Sequence, residues 1–163
     1  MAVTAEKSTQ VTNAQASPVV KNAPYDLGKH RSFYFSFTQG AAAGDATSTQ
    51  DLCIIPPGKY RIMKKESYIV CSAFGTSRTL DIGHTGYTDY AGVAQAASAD
   101  CILDGGDVSA AAALNCGAGT NALGTDPTIL ISAATPLTIQ AVVAGGTIPA
   151  GATITGYITV IAE

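Results

Sequence analysis

The chain has 163 residues, long enough for one domain with a sizeable core. Only 13% of them are charged, about half the usual share, and 47% are hydrophobic, which excludes a disordered protein. The net charge of −3, with no basic run interleaved with aromatics, argues against direct nucleic-acid binding. A surface this poor in charge is weakly protected against association, so part of it is expected to be covered by partners.

The start, Met1-Ala2-Val3-Thr4-Ala5-Glu6-Lys7, lacks a charged segment followed by an apolar one, so no signal peptide is expected. No apolar run reaches the roughly 18 residues of a membrane span. Residues 1–30 are small and polar, carry Pro18 and Pro24, and show no sustained period, which predicts an extended N-terminal arm. From residue 31 a period of two sets in. Phe33, Phe35 and Phe37 alternate with Tyr34, Ser36 and Thr38, a strand with three rings on one face. Asp51–Ile55 is a short strand that must stop at Pro56-Pro57-Gly58, because proline donates nothing to a ladder. Residues 59–65 place Tyr60 and Ile62 opposite Lys59, Arg61, Met63 and Lys65, a half-exposed strand with a basic outer face. Strands follow at 68–74 and 78–82.

Residues 83 to about 125 lose the alternation and are rich in Gly, Ala and Asp. They predict a long insertion loop, with a helical turn or two capped by Asp107-Val108-Ser109 ahead of Ala110–Leu114. Strands return at 128–132, 137–143 and 153–161, the last with nearly perfect alternation. About eight strands and few helix signals describe an all-β protein, an antiparallel β-sandwich, jelly-roll-like, over residues 31–163.

Chemistry-bearing patterns are scarce. The cysteines Cys53, Cys71, Cys101 and Cys116 form no C-x-x-C pair and are expected to be reduced. His84 lies three residues after Asp81 without a nucleophile motif, and reads as a surface histidine at a strand end. Asp104-Gly105-Gly106-Asp107 lacks the odd-position ligand spacing of a calcium loop. No catalytic residue, cofactor or metal is expected. Charge is uneven: residues 1–65 hold eight bases against four acids, and residues 66–163 one base against eight acids, which suits a subunit that docks one end on an acidic surface.

Ile55-Pro-Pro-Gly-Lys-Tyr-Arg-Ile62, Ser72-Ala-Phe-Gly75, Thr79-Leu-Asp-Ile-Gly83 with Tyr87-Thr88, Leu103–Ser109 and Gly145–Ile154 occur in an order and spacing that resembles the capsid decoration, or cement, proteins of tailed bacteriophages. These pieces cover about half the chain. The resemblance implies a compact β-sandwich that sits as an oligomer on the outside of an icosahedral head and bridges major capsid subunits against internal pressure. It implies no enzymatic role. The expected partners are the major capsid protein and the chain itself, as a homodimer or homotrimer, with no nucleic acid and no membrane. The expected location is the exterior of the virion, after synthesis in the bacterial cytoplasm. Candidate capsid contacts are Lys21, Lys29, Arg31, Lys59, Arg61, Lys64 and Lys65. Candidate contacts between sister subunits are Tyr87, Tyr90, Leu103 and Val108. The alternative is a fibre base or receptor-binding module of the same architecture. A secreted carbohydrate-binding or hydrolytic sandwich is disfavoured by the lack of tryptophan.

Overall fold

The computed structural model describes residues 5–17, 30–45, 48–117 and 128–163. In chain order these form β1 (Ala5–Lys7), α1 (Thr9–Gln15), β2 (His30–Thr38), β3 (Thr49–Ile55), β4 (Gly58–Met63), a 3₁₀ turn (Lys64–Glu66), β5 (Tyr68–Cys71) and β6 (Thr79–His84). They continue with β7 (Tyr87–Thr88), β8 (Ala94–Gln95), β9 (Ser98–Asp107), β10 (Ala112–Asn115), β11 (Thr128–Ala133), β12 (Leu137–Ala144) and β13 (Thr153–Ala162).

Two sheets form an all-β sandwich. Sheet A has the order β1-β3-β12-β6-β9, antiparallel except for the β1–β3 edge pair. Sheet B is centred on β13, which pairs along its length with β2 on one side. On the other side β13 pairs with β5 through Ile154–Tyr157 and with β4 through Val160–Ala162, while β10 and β11 extend the sheet beyond them. The 3₁₀ turn therefore breaks one long strand. Ser67 heals the break: its Oγ donates to Met63 O at 2.8 Å and accepts Thr159 N–H at 3.0 Å. The alternating positions read from the sequence point inward. Phe35, Phe37, Ile62, Ile69, Ile154 and Ile158 from sheet B join Ile55, Leu80, Ile82, Ile139 and Val143 from sheet A in one core. Phe33 packs partly buried at its rim.

The described part of the expected N-terminal arm is not extended. Ala5–Lys7 adds to the edge of sheet A against Thr49–Asp51, and α1 packs against β3 and β2. Ser8 explains the fold-back. Its N–H donates to Asp51 O at 2.7 Å, its Oγ donates to Leu52 O, and the same Oγ accepts Val11 N–H as helix N-cap. Leu52 is the residue left over where the β3–β12 register shifts, and its carbonyl accepts the Ser8 hydroxyl. Residues 18–29, with Lys21 and Lys29, lie outside the described residues.

The expected insertion loop is also corrected. Residues 98–107 form β9, an edge strand of sheet A, and the Ala-rich segment expected to turn helically is β10, paired with β5. Two register shifts in the β6–β9 pairing disrupt the period-two pattern, which is why these residues do not look like a strand. Gly83 makes the larger shift, between Ile82 and His84, possible: a Cβ there would lie 1.9 Å from Ser98 O.

Candidate interaction face

Cross-strand partners in a sheet present their side chains on the same face. Tyr157 on β13 is the direct partner of Tyr34 on β2 and of Tyr68 on β5, and Tyr68 is the partner of Asn115 on β10. Three tyrosines therefore stand in a row across the outward face of sheet B. The Tyr34 and Tyr157 rings are 5.5 Å apart and tilted by 53°. Tyr34 is 52% exposed and Tyr68 37%, and the face also shows Val70 and Leu130 to solvent. Burial of these side chains therefore remains incomplete in the isolated chain. Around them stand hydroxyls: Ser36 and Thr155 in the next row, Ser32 and Thr159 in the row before. The tyrosine row borders a shallow depression lined by His30, Ser32, Glu66 and Thr159. An exposed His30–Glu66 contact of 2.8 Å spans it.

Gly156 sets the spacing of this row. A Cβ at Gly156 would lie 2.2 Å from Tyr68 O, so β5 approaches β13 closely only because that atom is missing. The face is edged by bases. Lys59 and Lys65 are exposed, and Arg61 is half-buried, its Nε donating to Glu163 Oε1 at 2.5 Å.

The opposite side of the sandwich carries the other sign. Asp81 on β6 and Asp107 on β9 project from sheet A away from the core, and Asp51 on β3 accepts from Gln140 Nε2 at 2.6 Å. Burial pushes the Asp81 carboxyl up from its ordinary value; the Gly105 N–H, donating at 2.7 Å, opposes this, and the charges of Asp104 and Asp100 reinforce it. The strands of sheet B with their 3₁₀ turn hold five bases (Arg31, Lys59, Arg61, Lys64, Lys65) against Glu66, with Glu163 following β13, for a net +3. The strands of sheet A hold six acids (Glu6, Asp51, Asp81, Asp100, Asp104, Asp107) against Lys7, for a net −5. The charge asymmetry along the chain survives folding as an asymmetry between sheets.

Of the residues singled out from the sequence, Lys59, Arg61, Lys64 and Lys65 fall together on β4 and the following turn. Arg31 stands apart, lining a groove at the end of the sandwich with Phe33, Pro56, Pro57 and Lys59. Tyr90 is exposed at the tip between β7 and β8, whereas Tyr87 folds back against the core and meets His84 edge-on at 5.5 Å. Leu103 and Val108 are corrected: at 1% and 0% exposure they are core residues and cannot touch a sister copy. His84 is likewise buried, and its Nδ1 lies 2.7 Å from Thr85 O. Asp81 and His84 do not come together, since Asp81 reaches the Gly105 N–H on the outer side and His84 packs inward. Cys53, Cys71, Cys101 and Cys116 are free thiols, and burial pushes Cys53, Cys71 and Cys116 up to about 12. The tyrosine row is not legible in the sequence, because neighbours across strands are defined by register and not by spacing.

No family model, curated protein or solved structure matches the chain. The resemblance to decoration proteins therefore rests on the sequence motifs. Among the described residues, no helix is long and apolar enough to cross a membrane.

Proposed function

We propose that the chain is a structural virion protein of the capsid decoration type, binding the outside of an icosahedral head through the outward face of sheet B. The carrying observation is the tyrosine row Tyr34–Tyr157–Tyr68, exposed beside Val70 and edged by Lys59, Arg61 and Lys65. Tyrosine buries much area at small entropic cost and is enriched at interface centres, while a charged rim steers encounter and sets register. A decoration protein needs many such contacts of moderate strength, because repetition over a shell multiplies them. The partner is then an acidic surface of the major capsid protein, with neighbouring copies bridging adjacent capsid subunits.

The test is occupancy on heads. Tyr68→Asp together with Val70→Asp leaves the core untouched and should abolish retention on purified heads, while the wild-type chain should load to hundreds of copies per head. Full occupancy by the double variant overturns the assignment of this face. A copy number of tens or fewer turns the reading towards a fibre base or receptor-binding module.

A further inference from the structure

The two broad faces of the sandwich are complementary to each other. Sheet B offers Tyr157, Tyr68, Val70 and the bases Lys59, Arg61 and Lys65; sheet A offers Asp81 and Asp107 beside half-buried Val142, with exposed Asp100 on the same edge strand. These faces point in opposite directions, so one molecule cannot satisfy its own complement. A second copy can. We propose that the isolated chain associates head-to-tail, the tyrosine-bearing basic face of one copy docking on the acidic face of the next.

Three observations carry this. The signs are opposite, with net +3 on the strands of one sheet and −5 on those of the other, which favours mutual docking over like faces meeting. Burial is the main cause that raises the Asp81 carboxyl, and the charges of Asp104 and Asp100 add to it, so Asp81 has acidic neighbours whose repulsion an approaching base relieves. The dimensions also fit. A sheet of four strands about 4.8 Å apart and nine residues long at about 3.3 Å each presents about 500 Å². Burying that on each partner gives about 1,000 Å² in all, at the low end for a specific interface, so the contact is weak and salt-sensitive. Because the two surfaces differ, the contact is heterologous, and association does not stop at a dimer unless the rotation closes a ring.

This goes beyond docking on a head and does not depend on it, and the test contains no heads. Sedimentation of the purified chain should show the mean mass rising with concentration in low salt and returning to monomer in about 0.5 M salt, where charges are screened beyond a few ångströms. Lys59→Glu with Lys65→Glu turns the strands of sheet B from net +3 to −1, the sign of the face they would dock on; Asp100→Lys with Asp107→Lys takes the strands of sheet A from −5 to −1 and leaves sheet B basic. Each variant alone should lose self-association at least tenfold, and an equimolar mixture should regain it, with circular dichroism melts confirming that each remains folded. A wild-type chain that stays monomeric at millimolar concentration in low salt overturns the proposal, as does association that salt strengthens. A mixture of folded variants that fails to associate also overturns it. None of these outcomes bears on occupancy of heads, so the two readings fail separately.

Discussion

Replacing Gly156 with alanine tests how the fold builds the tyrosine face. The new Cβ would stand 2.2 Å from Tyr68 O, 3.0 Å from Ile69 Cα and 3.1 Å from Tyr68 C, all backbone atoms that no side-chain rotation can move away. Since real Cβ contacts essentially never fall under 3.0 Å, β5 must retreat from β13 by about 0.8 Å or more. Four register pairs, Ile154–Cys71 to Tyr157–Tyr68, share that strain. Overpacking of this kind costs about 1–3 kcal/mol and more where backbone must shift, so about 3 kcal/mol is expected. For a domain of this size that lowers Tm by about 6–12 °C. Thermal unfolding by circular dichroism measures it. Tyrosine emission reports the same transition cleanly, because the chain has no tryptophan. The neighbouring change Thr155→Ala, on the solvent side of the same strand, should stay within about 0.5 kcal/mol. A loss below about 0.5 kcal/mol for Gly156→Ala would refute the idea that a missing Cβ holds Tyr68 beside Tyr157.

Further outcomes follow from the same geometry. Ser8→Ala removes the N-cap of α1 and leaves the Leu52 carbonyl without its donor, so denaturant unfolding should show a loss of about 2–3 kcal/mol, well above a Thr12→Ala control. Asp81→Asn keeps the acceptor for the Gly105 N–H and removes a carboxylate whose folded-state value lies above the ordinary 3.8. The folded wild type holds that proton more tightly than the unfolded chain, so its penalty appears as pH rises from 3.8 through the folded value; the variant should be more stable at pH 7 and indistinguishable below about pH 3. Thiol labelling of the folded chain at pH 8 should be slow at Cys53, Cys71 and Cys116, where burial suppresses the thiolate, and complete only after unfolding.

The strands that were legible are those in which period two runs unbroken: Phe33–Thr38, Tyr60–Met63, Leu137–Val143 and Thr153–Ile161 all place their apolar set inward. Where an extra residue intrudes the signal cancels. In β9 the buried pair Ile102–Leu103 is consecutive, and side chains that look unpatterned in sequence enter the core through a bulge. That is why Leu103 reads as part of a contact loop in the sequence. The fold-back of residues 5–17 is encoded in elements too short for a periodic pattern, three residues of strand and seven of helix. Its one local cue is Ser8 three residues before buried Val11, the spacing of an N-cap.

A row of half-exposed tyrosines does little for folding, and that is what makes it diagnostic. Tyr157 meets Tyr34 in a tilted pair, and such cross-strand aromatic pairs contribute about 0.5–1 kcal/mol. Truncating Tyr157 to serine at this mostly hydroxylated face should therefore cost about 1 kcal/mol of stability. If the row is the centre of a docking surface, the same change should cost more than about 2 kcal/mol of binding, a thirtyfold loss, because a central tyrosine seals its surroundings from water. Titrating Tyr157→Ser onto heads while following its melt separates the two. A binding loss no larger than the stability loss would leave the row as ordinary sheet surface, and the basic edge would then have to account for docking through charge alone. That alternative carries its own mark. Charge-driven docking would weaken steeply with salt, whereas docking centred on tyrosines would persist when the salt is raised to about 0.5 M.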